Sequence, residues 1–166
     1  REAGRPFEIV ETVISVNERM KVRAVEKVRA ALDNDLSGKT VALLGLSFKP
    51  ETDDMRESAS IPITETLIAE GARVRAFDPV AMHNAKKILP DGVEYCSDSY
   101  DAVTGADALV IVTEWNQFRS LDLERIKASA PGRVVVDLRN VCNPERMAEH
   151  GFEYHGVGRG VVEMPE

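Results

Sequence analysis

From residue 40 onward, short apolar runs alternate with longer stretches that mix apolar and polar residues. The runs predict strands at 40–45, 73–77, 93–96, 108–113, 133–138 and 152–155. The stretches between them predict helices at 60–70, 81–89, 100–104, 123–129 and 144–150. Near-continuous apolar strands separated by helices are typical of a parallel sheet that is buried on both faces. Right-handed crossovers between such strands give a doubly wound, Rossmann-like α/β fold.

A long amphipathic segment precedes this alternation. Apolar residues recur over 7–32 at alternating steps of four and three, which predicts one long helix with an apolar stripe. The stripe contains Ile9, Val13, Val16, Met20, Ala24, Val28 and Ala31. One small sheet cannot cover a stripe of this length, so we expect part of it to pack against another domain or a second subunit, with packing wholly inside its own domain as the alternative. We therefore divide the chain into a linker helix at 1–36 and an α/β domain at 37–166.

Composition limits the classes of partner. The 166 residues, 43% of them hydrophobic and 30% charged, are enough for one domain with a real core. The net charge of −7 disfavours nucleic acid, because affinity for a duplex comes from neutralised phosphates. No apolar run approaches the roughly 20 residues of a membrane helix, so no membrane partner is expected. Two cysteines predict reduced thiols in a cytoplasmic protein, and a first residue other than Met suggests a piece of a longer protein.

Doubly wound folds bind ligands where strands end, so the residues after each predicted strand are the candidates for a site. The first strand is followed by Gly45 alone, without the G-x-G-x-x-G loop that cradles a pyrophosphate. This loop carries the cations Lys49 and Arg56 instead, which predict phosphate binding. The alternative is that both cations pair with neighbouring carboxylates. Those carboxylates are Glu51, Asp53, Asp54 and Glu57, and they have no regular spacing that would indicate a metal site.

Two further strand ends carry charged residues. Arg139 follows the fifth strand and would emerge beside Lys49 if both strands point the same way, which predicts a single anion pocket. A surface pair between Asp137 and Arg139 is the alternative. Asp78 ends the second strand, where a Rossmann domain binds ribose, but without a glycine-rich loop this position is more typical of a helix cap before Pro79.

Catalytic machinery is not evident from the residues themselves. The histidines have no triad partners and are interpreted as structural or exposed. They are His83, His150 and His155. Cys96 and Cys142 have no neighbouring base that would mark a nucleophile. Trp115 is predicted to anchor a loop onto the sheet.

Five blocks of sequence, in a fixed order, carry a family resemblance. They are VNERMK at 16–21, GLSFKPETDDMRES at 45–58, FDP at 77–79, TEWNQF at 113–118 and DLRNV at 137–141. Together they resemble the carboxyl-terminal part of the UDP-glucose/GDP-mannose dehydrogenase family, over the chain to about residue 158. FDP alone would mean little, whereas five blocks in order make chance agreement very improbable.

The resemblance implies one part of a three-part enzyme. In this family an amino-terminal Rossmann domain binds NAD, a long central helix builds the dimer, and a carboxyl-terminal domain binds the UDP part of the substrate. The reaction oxidises the sugar C6 alcohol to a carboxylate with two NAD, through a cysteine nucleophile. The resemblance thus implies that this chain binds UDP-glucose, packs against an amino-terminal NAD-binding domain and forms a homodimer through the helix at 8–32.

Position by position, the resemblance assigns Phe48, Lys49 and Arg139 to the substrate and Arg56 to NAD. Nothing matches the family's GGSCFPKD-like cysteine motif, so the chain alone is expected to be inactive, with no catalytic residue of its own. TEWNQF and the layout from FDP to DLRNV favour the UDP-glucose branch. The alternatives are the same domain of a GDP-mannose or UDP-N-acetylhexosamine dehydrogenase, and a non-catalytic nucleotide-binding or dimerisation module.

Overall fold

The computed structural model describes residues 8–162 of the chain. The helices are α1 (Glu8–Ala31), α2 (Ser60–Ala69), α3 (Met82–Ile88), α4 (Ser99–Val103), α5 (Asn116–Arg119), α6 (Leu123–Ser129) and α7 (Pro144–Glu149). The strands are β1 (Thr40–Leu44), β2 (Arg73–Phe77), β3 (Val93–Tyr95), β4 (Ala108–Ile111), β5 (Val134–Asp137), β6 (Glu153–Gly156) and β7 (Val161–Val162). Every predicted strand and helix is present, with ends that differ by no more than two residues.

The strands form one sheet in the order β3-β2-β1-β4-β5-β6-β7. The strands β1 to β6 run parallel, and β7 pairs with β6 in the antiparallel direction. This arrangement confirms the predicted doubly wound, Rossmann-like α/β fold. Strand order reverses between β1 and β4, which makes that junction the switch point where such sheets bind ligands.

Both faces of the sheet are apolar because successive side chains of a strand point to opposite faces. In β1, Val41 and Leu43 pack in the core shared with α1, α2 and α3. Ala42 and Leu44 pack in the core shared with α4 to α7. All four side chains are fully buried, which explains why the strand reads as an uninterrupted apolar run.

The helix α1 is packed only along its carboxyl-terminal half. Val28 is 1% exposed and lies in the core, and Arg29 forms an ion pair with Glu70, which directly follows α2. Toward the amino terminus, Ile9 is 82% exposed and Val13 53% exposed. The apolar stripe therefore continues well beyond the sheet, as its length predicts, and a partner that covers it remains a prediction.

Sequence periodicity missed α5 and β7. One turn of helix is too short to show an apolar period in the sequence. In the structure α5 packs onto the domain through Phe118, which is buried beside Trp115 in the core. That burial confirms Trp115 as a loop anchor. The two residues of β7 become a strand only by pairing with β6. None of the helices within residues 8–162 is long and apolar enough to cross a membrane.

Candidate functional site

A cleft of about 990 Å³ lies at the carboxyl edge of the sheet, between α1 and the loops that follow β1, β4 and β5. Phe48, Val112 and Arg139 line it from the three loops, and Asn17 and Lys21 line it from α1. Because β1, β4 and β5 are parallel neighbours, their carboxyl ends meet at this edge. The cleft thus occupies the switch point of the sheet, where a ligand is expected.

The loop after β1 begins with a turn that only glycine fits. Gly45 has a φ of +85°, a backbone region that favours glycine. A Cβ atom on Gly45 would lie 2.6 Å from the Cβ of Thr113, which follows β4. This close approach lets the hydroxyl of Thr113 donate a hydrogen bond of 2.6 Å to the carbonyl of Ser47. The loops after β1 and β4 are thereby joined at the floor of the cleft.

The buried carboxylate of Asp78, just beyond β2, organises the same loop. Its Oδ2 accepts hydrogen bonds from the backbone nitrogens of Leu46 at 2.7 Å and Ser47 at 3.1 Å, and from the indole of Trp115 at 3.2 Å. Its Oδ1 accepts from the backbone of the segment that leads into α3. The Oδ1 bonds, from Val80 at 2.9 Å and Ala81 at 2.8 Å, agree with the predicted cap before Pro79. The bridge between loops that the buried Oδ2 makes was not predicted.

Because Asp78 accepts hydrogen bonds from these N–H groups, they are not available to bind an anion. In a glycine-rich loop, backbone N–H groups of the first turn face a pyrophosphate. Here the N–H groups of Leu46 and Ser47 point to Asp78 instead. An anion in this cleft would therefore be held by side-chain cations.

Phe48 stands at the point where the loop turns into the cleft. Its backbone nitrogen donates to the carbonyl of Asp54 at 2.8 Å, which closes the segment 48–54. Two serines hold the start of this loop, since Ser58 and Ser60 both donate to the carbonyl of Leu46, at 2.7 Å and 2.6 Å. The residue Phe48 remains 47% exposed at the cleft.

Arg139 crosses the cleft floor from the loop after β5. Its Nε donates to the carbonyl of Val112 at 3.1 Å, and its Nη2 donates to the carbonyl of Phe48 at 3.2 Å. Its Nε also lies 2.8 Å from Oε2 of Glu114 in an ion pair. The structure thus brings Phe48 and Arg139 together at the cleft, whereas Lys49, the predicted neighbour of Arg139, does not line it, so the anion pocket stays a prediction. The alternative, an ion pair between the side chains of Asp137 and Arg139, is not seen: the guanidinium pairs with Glu114.

Asp137 instead holds the backbone of Arg139. Its buried carboxylate accepts from the backbone nitrogen of Arg139 at 3.0 Å, from the backbone nitrogen of Cys142 at 2.9 Å and from the hydroxyl of Tyr154 at 3.0 Å. The neighbouring Asn140 has a φ of +53° and exchanges two hydrogen bonds with the backbone of Val157, which lines the cleft. The loop after β5 is consequently fixed on both sides of Arg139.

Lys49 and Arg56 lie farther out on the same loop. Lys49 is exposed directly after Phe48. The guanidinium of Arg56 forms two hydrogen bonds with the carboxylate of Asp54, at 3.0 Å and 2.8 Å, while its side chain stays 88% exposed. These hydrogen bonds from Arg56 lower the pKa of Asp54 to about 2. For Arg56, pairing with a loop carboxylate is therefore present in the structure.

Lys21 connects α1 to this loop. Its ammonium lies 2.9 Å from Glu18 of the same helix and forms a second ion pair with Glu57, which follows Arg56. Burial acts to lower the pKa of Lys21, but the hydrogen bonds to the two glutamates outweigh it and raise the pKa above the ordinary value. Lys21 belongs to VNERMK and Glu57 to the loop motif, so this pair joins two of the five sequence blocks.

The cysteines and histidines do not line the cleft. Both thiols are buried, and burial raises the pKa of Cys96 to about 11 and of Cys142 to about 12, the latter also through the nearby Asp137 carboxylate. His155 contacts Glu153 at 2.6 Å, and His150 contacts the carbonyl of Arg146 at 2.8 Å. Within residues 8–162, acidic, histidine and cysteine side chains do not gather into a possible metal site.

Sequence reasoning missed four residues that shape the cleft. They are Lys21, Glu57, Asp78 as a bridge, and Glu114. The pairs Lys21–Glu57 and Glu114–Arg139 escape a local interpretation because their members lie far apart in sequence. The one available signal was that each of the four belongs to a resemblance block.

The fold and the cleft define a Rossmann-like ligand-binding domain that lacks a glycine-rich loop. Residues 42–144 match the UDP binding domain of the UDP-glucose/GDP-mannose dehydrogenase family. The chain belongs to this family.

Individual relatives agree with the family match. The chain is 46% identical to a UDP-glucose 6-dehydrogenase of Rhizobium meliloti over 154 residues, which cover 93% of the chain and 35% of the relative. A UDP-glucose dehydrogenase structure from Pyrobaculum islandicum is 36% identical with a TM-score of 0.77, over 96% of this chain and 34% of that one. A UDP-D-ManNAc dehydrogenase structure from Pyrococcus horikoshii is 30% identical with a TM-score of 0.75, over 95% of this chain and 35% of that one. The chain therefore spans about a third of the length of these relatives.

Proposed function

We propose that the chain is the UDP-binding part of an NAD-dependent UDP-glucose 6-dehydrogenase, and that the cleft holds the UDP part of the substrate. The observation that carries this proposal is the meeting of Arg139 with Phe48 at the cleft floor, 3.2 Å from Nη2 to the carbonyl. A guanidinium whose plane is fixed by backbone carbonyls can present its remaining N–H groups to phosphate oxygens. The half-exposed ring beside it offers an apolar face to a base or sugar.

In this proposal Lys49 supplies a second positive charge. A flexible ammonium meets phosphate as a point charge, and its exposed position beside Phe48 leaves it able to swing toward a ligand. Phe48, Lys49 and Arg139 then bind substrate. Arg56, held by Asp54 at the rim and 88% exposed, reaches NAD bound by another domain. The residues of this chain bind and orient the substrate and leave bond-making to groups outside the chain.

The remaining parts of the enzyme are proposed from the relatives, since the chain spans about a third of their length. An amino-terminal domain would supply NAD binding and the nucleophilic cysteine. NAD accepts the hydrides that leave the sugar C6 as the alcohol becomes a carboxylate. The exposed half of α1 would pack against that domain and against a second copy in a homodimer. A cytoplasmic location agrees with two unpaired, buried thiols.

Related nucleotide sugars are the main alternative substrates. The chain is 36% identical to the UDP-glucose dehydrogenase structure and 30% identical to the UDP-D-ManNAc dehydrogenase structure, which favours UDP-glucose. Binding of UDP-glucose, GDP-mannose and a UDP-N-acetylhexosamine to the chain, measured by competition against UDP, separates these possibilities. A preference for GDP-mannose would overturn the choice of a uridine nucleotide.

Calorimetry with UDP tests the cleft itself. We expect Arg139→Ala and Lys49→Ala each to weaken UDP binding by about 1.5–3 kcal/mol, the range for hydrogen bonds to charged groups. Lys87→Ala on α3 is a matched control, since Lys87 is an exposed cation outside the cleft. If Arg139→Ala and Lys49→Ala both bind UDP as well as the unchanged chain does, the ligand is held elsewhere and the proposal is wrong.

A further inference from the structure

The carboxylate of Glu114 lies directly behind the cleft, paired with Arg139, which lines it. Its Oε2 is shielded from solvent, lies 2.8 Å from Nε of Arg139, and accepts no hydrogen bond. The Nε hydrogen is directed to the carbonyl of Val112 instead. A buried carboxylate oxygen without a hydrogen bond is unfavourable, so Glu114 contributes charge next to Arg139 without adding a geometric constraint.

Backbone groups and Asp137 already hold Arg139 in place. The carbonyls of Val112 and Phe48 accept from Nε and Nη2, and Asp137 holds the backbone nitrogen of Arg139. Of the five N–H groups of a guanidinium, these bonds use two side-chain donors and leave three for a ligand. An anion that uses those donors binds the same guanidinium that already carries Glu114 at its Nε, 2.8 Å away.

We infer that Glu114 is an affinity-setting residue: its carboxylate partly neutralises Arg139 and repels the diphosphate of a bound nucleotide. The inference rests on the proposed function, because it takes the ligand of Arg139 to be the diphosphate of UDP. Like charges near a protein surface repel one another at such short range more strongly than they do in bulk water. Glu114 therefore keeps the affinity of the cleft for UDP moderate, which favours release of a UDP-containing product.

The test compares Glu114→Gln with the unchanged 166-residue chain, by calorimetry with UDP and with uridine. Gln keeps the shape of the side chain and removes its charge. We expect UDP to bind about tenfold more tightly, which corresponds to about 1.4 kcal/mol, and uridine to bind unchanged because it carries no phosphate. Glu114→Ala provides a second variant and is expected to change UDP binding in the same direction.

Two controls separate this effect from a general change of charge. Glu65→Gln removes one exposed negative charge on α2 and should leave UDP binding as it is. In an Arg139→Gln background, Glu114→Gln should no longer tighten UDP binding, because the cation through which it acts is gone. A gain that persists without Arg139 would overturn the inference.

The remaining outcomes are equally distinct. If the unchanged chain binds UDP but Glu114→Gln and Glu114→Ala do not tighten it, the inference fails and the proposed function stands. If Glu114→Gln weakens both UDP and uridine, Glu114 contacts the nucleoside and the inference is wrong. If UDP binds to neither the unchanged chain nor the variants, the proposed function and the inference both fail.

Discussion

The carboxylate of Asp78 lies 3.1 Å from the backbone nitrogen of Ser47 and 3.2 Å from its hydroxyl. These residues follow neighbouring parallel strands, β2 and β1, so the contact forms only after the sheet has assembled. Through it, the first turn of the cleft is held by a protein carboxylate. Under the proposed function, the same geometry leaves phosphate to be bound by cations such as Arg139, which reaches the cleft from another loop.

Asp78→Asn should lower the stability of the folded chain. The buried carboxylate only accepts hydrogen bonds, and an amide group would replace one of its two acceptor oxygens with a donor. The Oδ2 atom alone accepts from the backbones of Leu46 and Ser47, the hydroxyl of Ser47 and the indole of Trp115. An amide nitrogen at either position would face donors and leave them unsatisfied. We expect a loss of about 1–3 kcal/mol in the free energy of unfolding, measured with urea.

Asp91→Asn serves as the control for this substitution, because Asp91 is exposed before β3. It should change the unfolding free energy by less than about 0.5 kcal/mol. Equal stability of the Asp78→Asn and Asp91→Asn variants would show that the buried hydrogen-bond network contributes little.

Gly45→Ala is expected to destabilise the fold through a steric clash as well as backbone strain. The new Cβ would lie 2.6 Å from the Cβ of Thr113, whereas at Gly105, with a similar φ of +73°, no atom lies within 4 Å. The variant Gly105→Ala therefore reports the strain alone, about 1–2 kcal/mol. Thermal unfolding should show a larger loss for Gly45→Ala, by roughly 1–3 kcal/mol, the usual range for overpacking. Matching losses would mean that Thr113 moves aside without cost.

Arg56→Ala should raise the pKa of Asp54 from about 2 toward its ordinary value of 3.8. The hydrogen bonds from Arg56 favour the ionised carboxylate, so their interaction is present above the ordinary pKa and is lost as the pH falls through the lowered one. An NMR titration of the Asp54 carboxyl carbon measures both values. A pKa that does not move would show that the Arg56–Asp54 pair does not persist in solution.

The same substitution tests the proposed cofactor role in a longer chain that includes the NAD-binding domain. There, Arg56→Ala should raise the apparent KM for NAD and leave UDP affinity largely unchanged. Lys87→Ala provides the control, since it removes an exposed cation elsewhere. Loss of UDP affinity without a change in the KM for NAD would reassign Arg56 to the substrate side.

Alkaline pH should weaken the fold through its two buried thiols. Burial raises the pKa of Cys96 to about 11 and of Cys142 to about 12 from an ordinary 9.0. The stabilising contribution is complete below pH 9 and is lost as the pH rises toward the raised values, because the unfolded chain ionises first. Each thiol then costs up to about 1.4 kcal/mol per pH unit. Urea unfolding at several alkaline pH values measures this slope.

The variant Cys142→Ala isolates one thiol. Its unfolding free energy should fall less steeply with pH than that of the unchanged chain, by up to about 1.4 kcal/mol per pH unit. In the folded chain at neutral pH, both thiols should also react slowly with a thiol reagent, since the thiolate is the reactive form. Fast reaction of Cys142 would contradict its burial.

Much of the fold was predictable because its signals are local. The apolar runs that become β1, β4 and β5 are buried on both faces, so each reads as a strand without knowledge of its neighbours. The placement of Phe48, Lys49 and Arg139 at strand ends also follows from the order of elements along the chain. The turn at α5 and the short β7 were not predictable, since their few residues carry no period.

The sequence by itself determined the strand-helix alternation, the absent glycine-rich loop and the cations available at the sheet edge. Only the tertiary structure decided which groups meet there: Asp78 with Ser47, Lys21 with Glu57, and Glu114 with Arg139. The physical reason is the distance along the chain over which each kind of interaction acts. Apolar periodicity acts between residues a few positions apart, whereas a hydrogen bond or ion pair across a cleft depends on strand order and register, which bring together residues 25 to 36 positions apart.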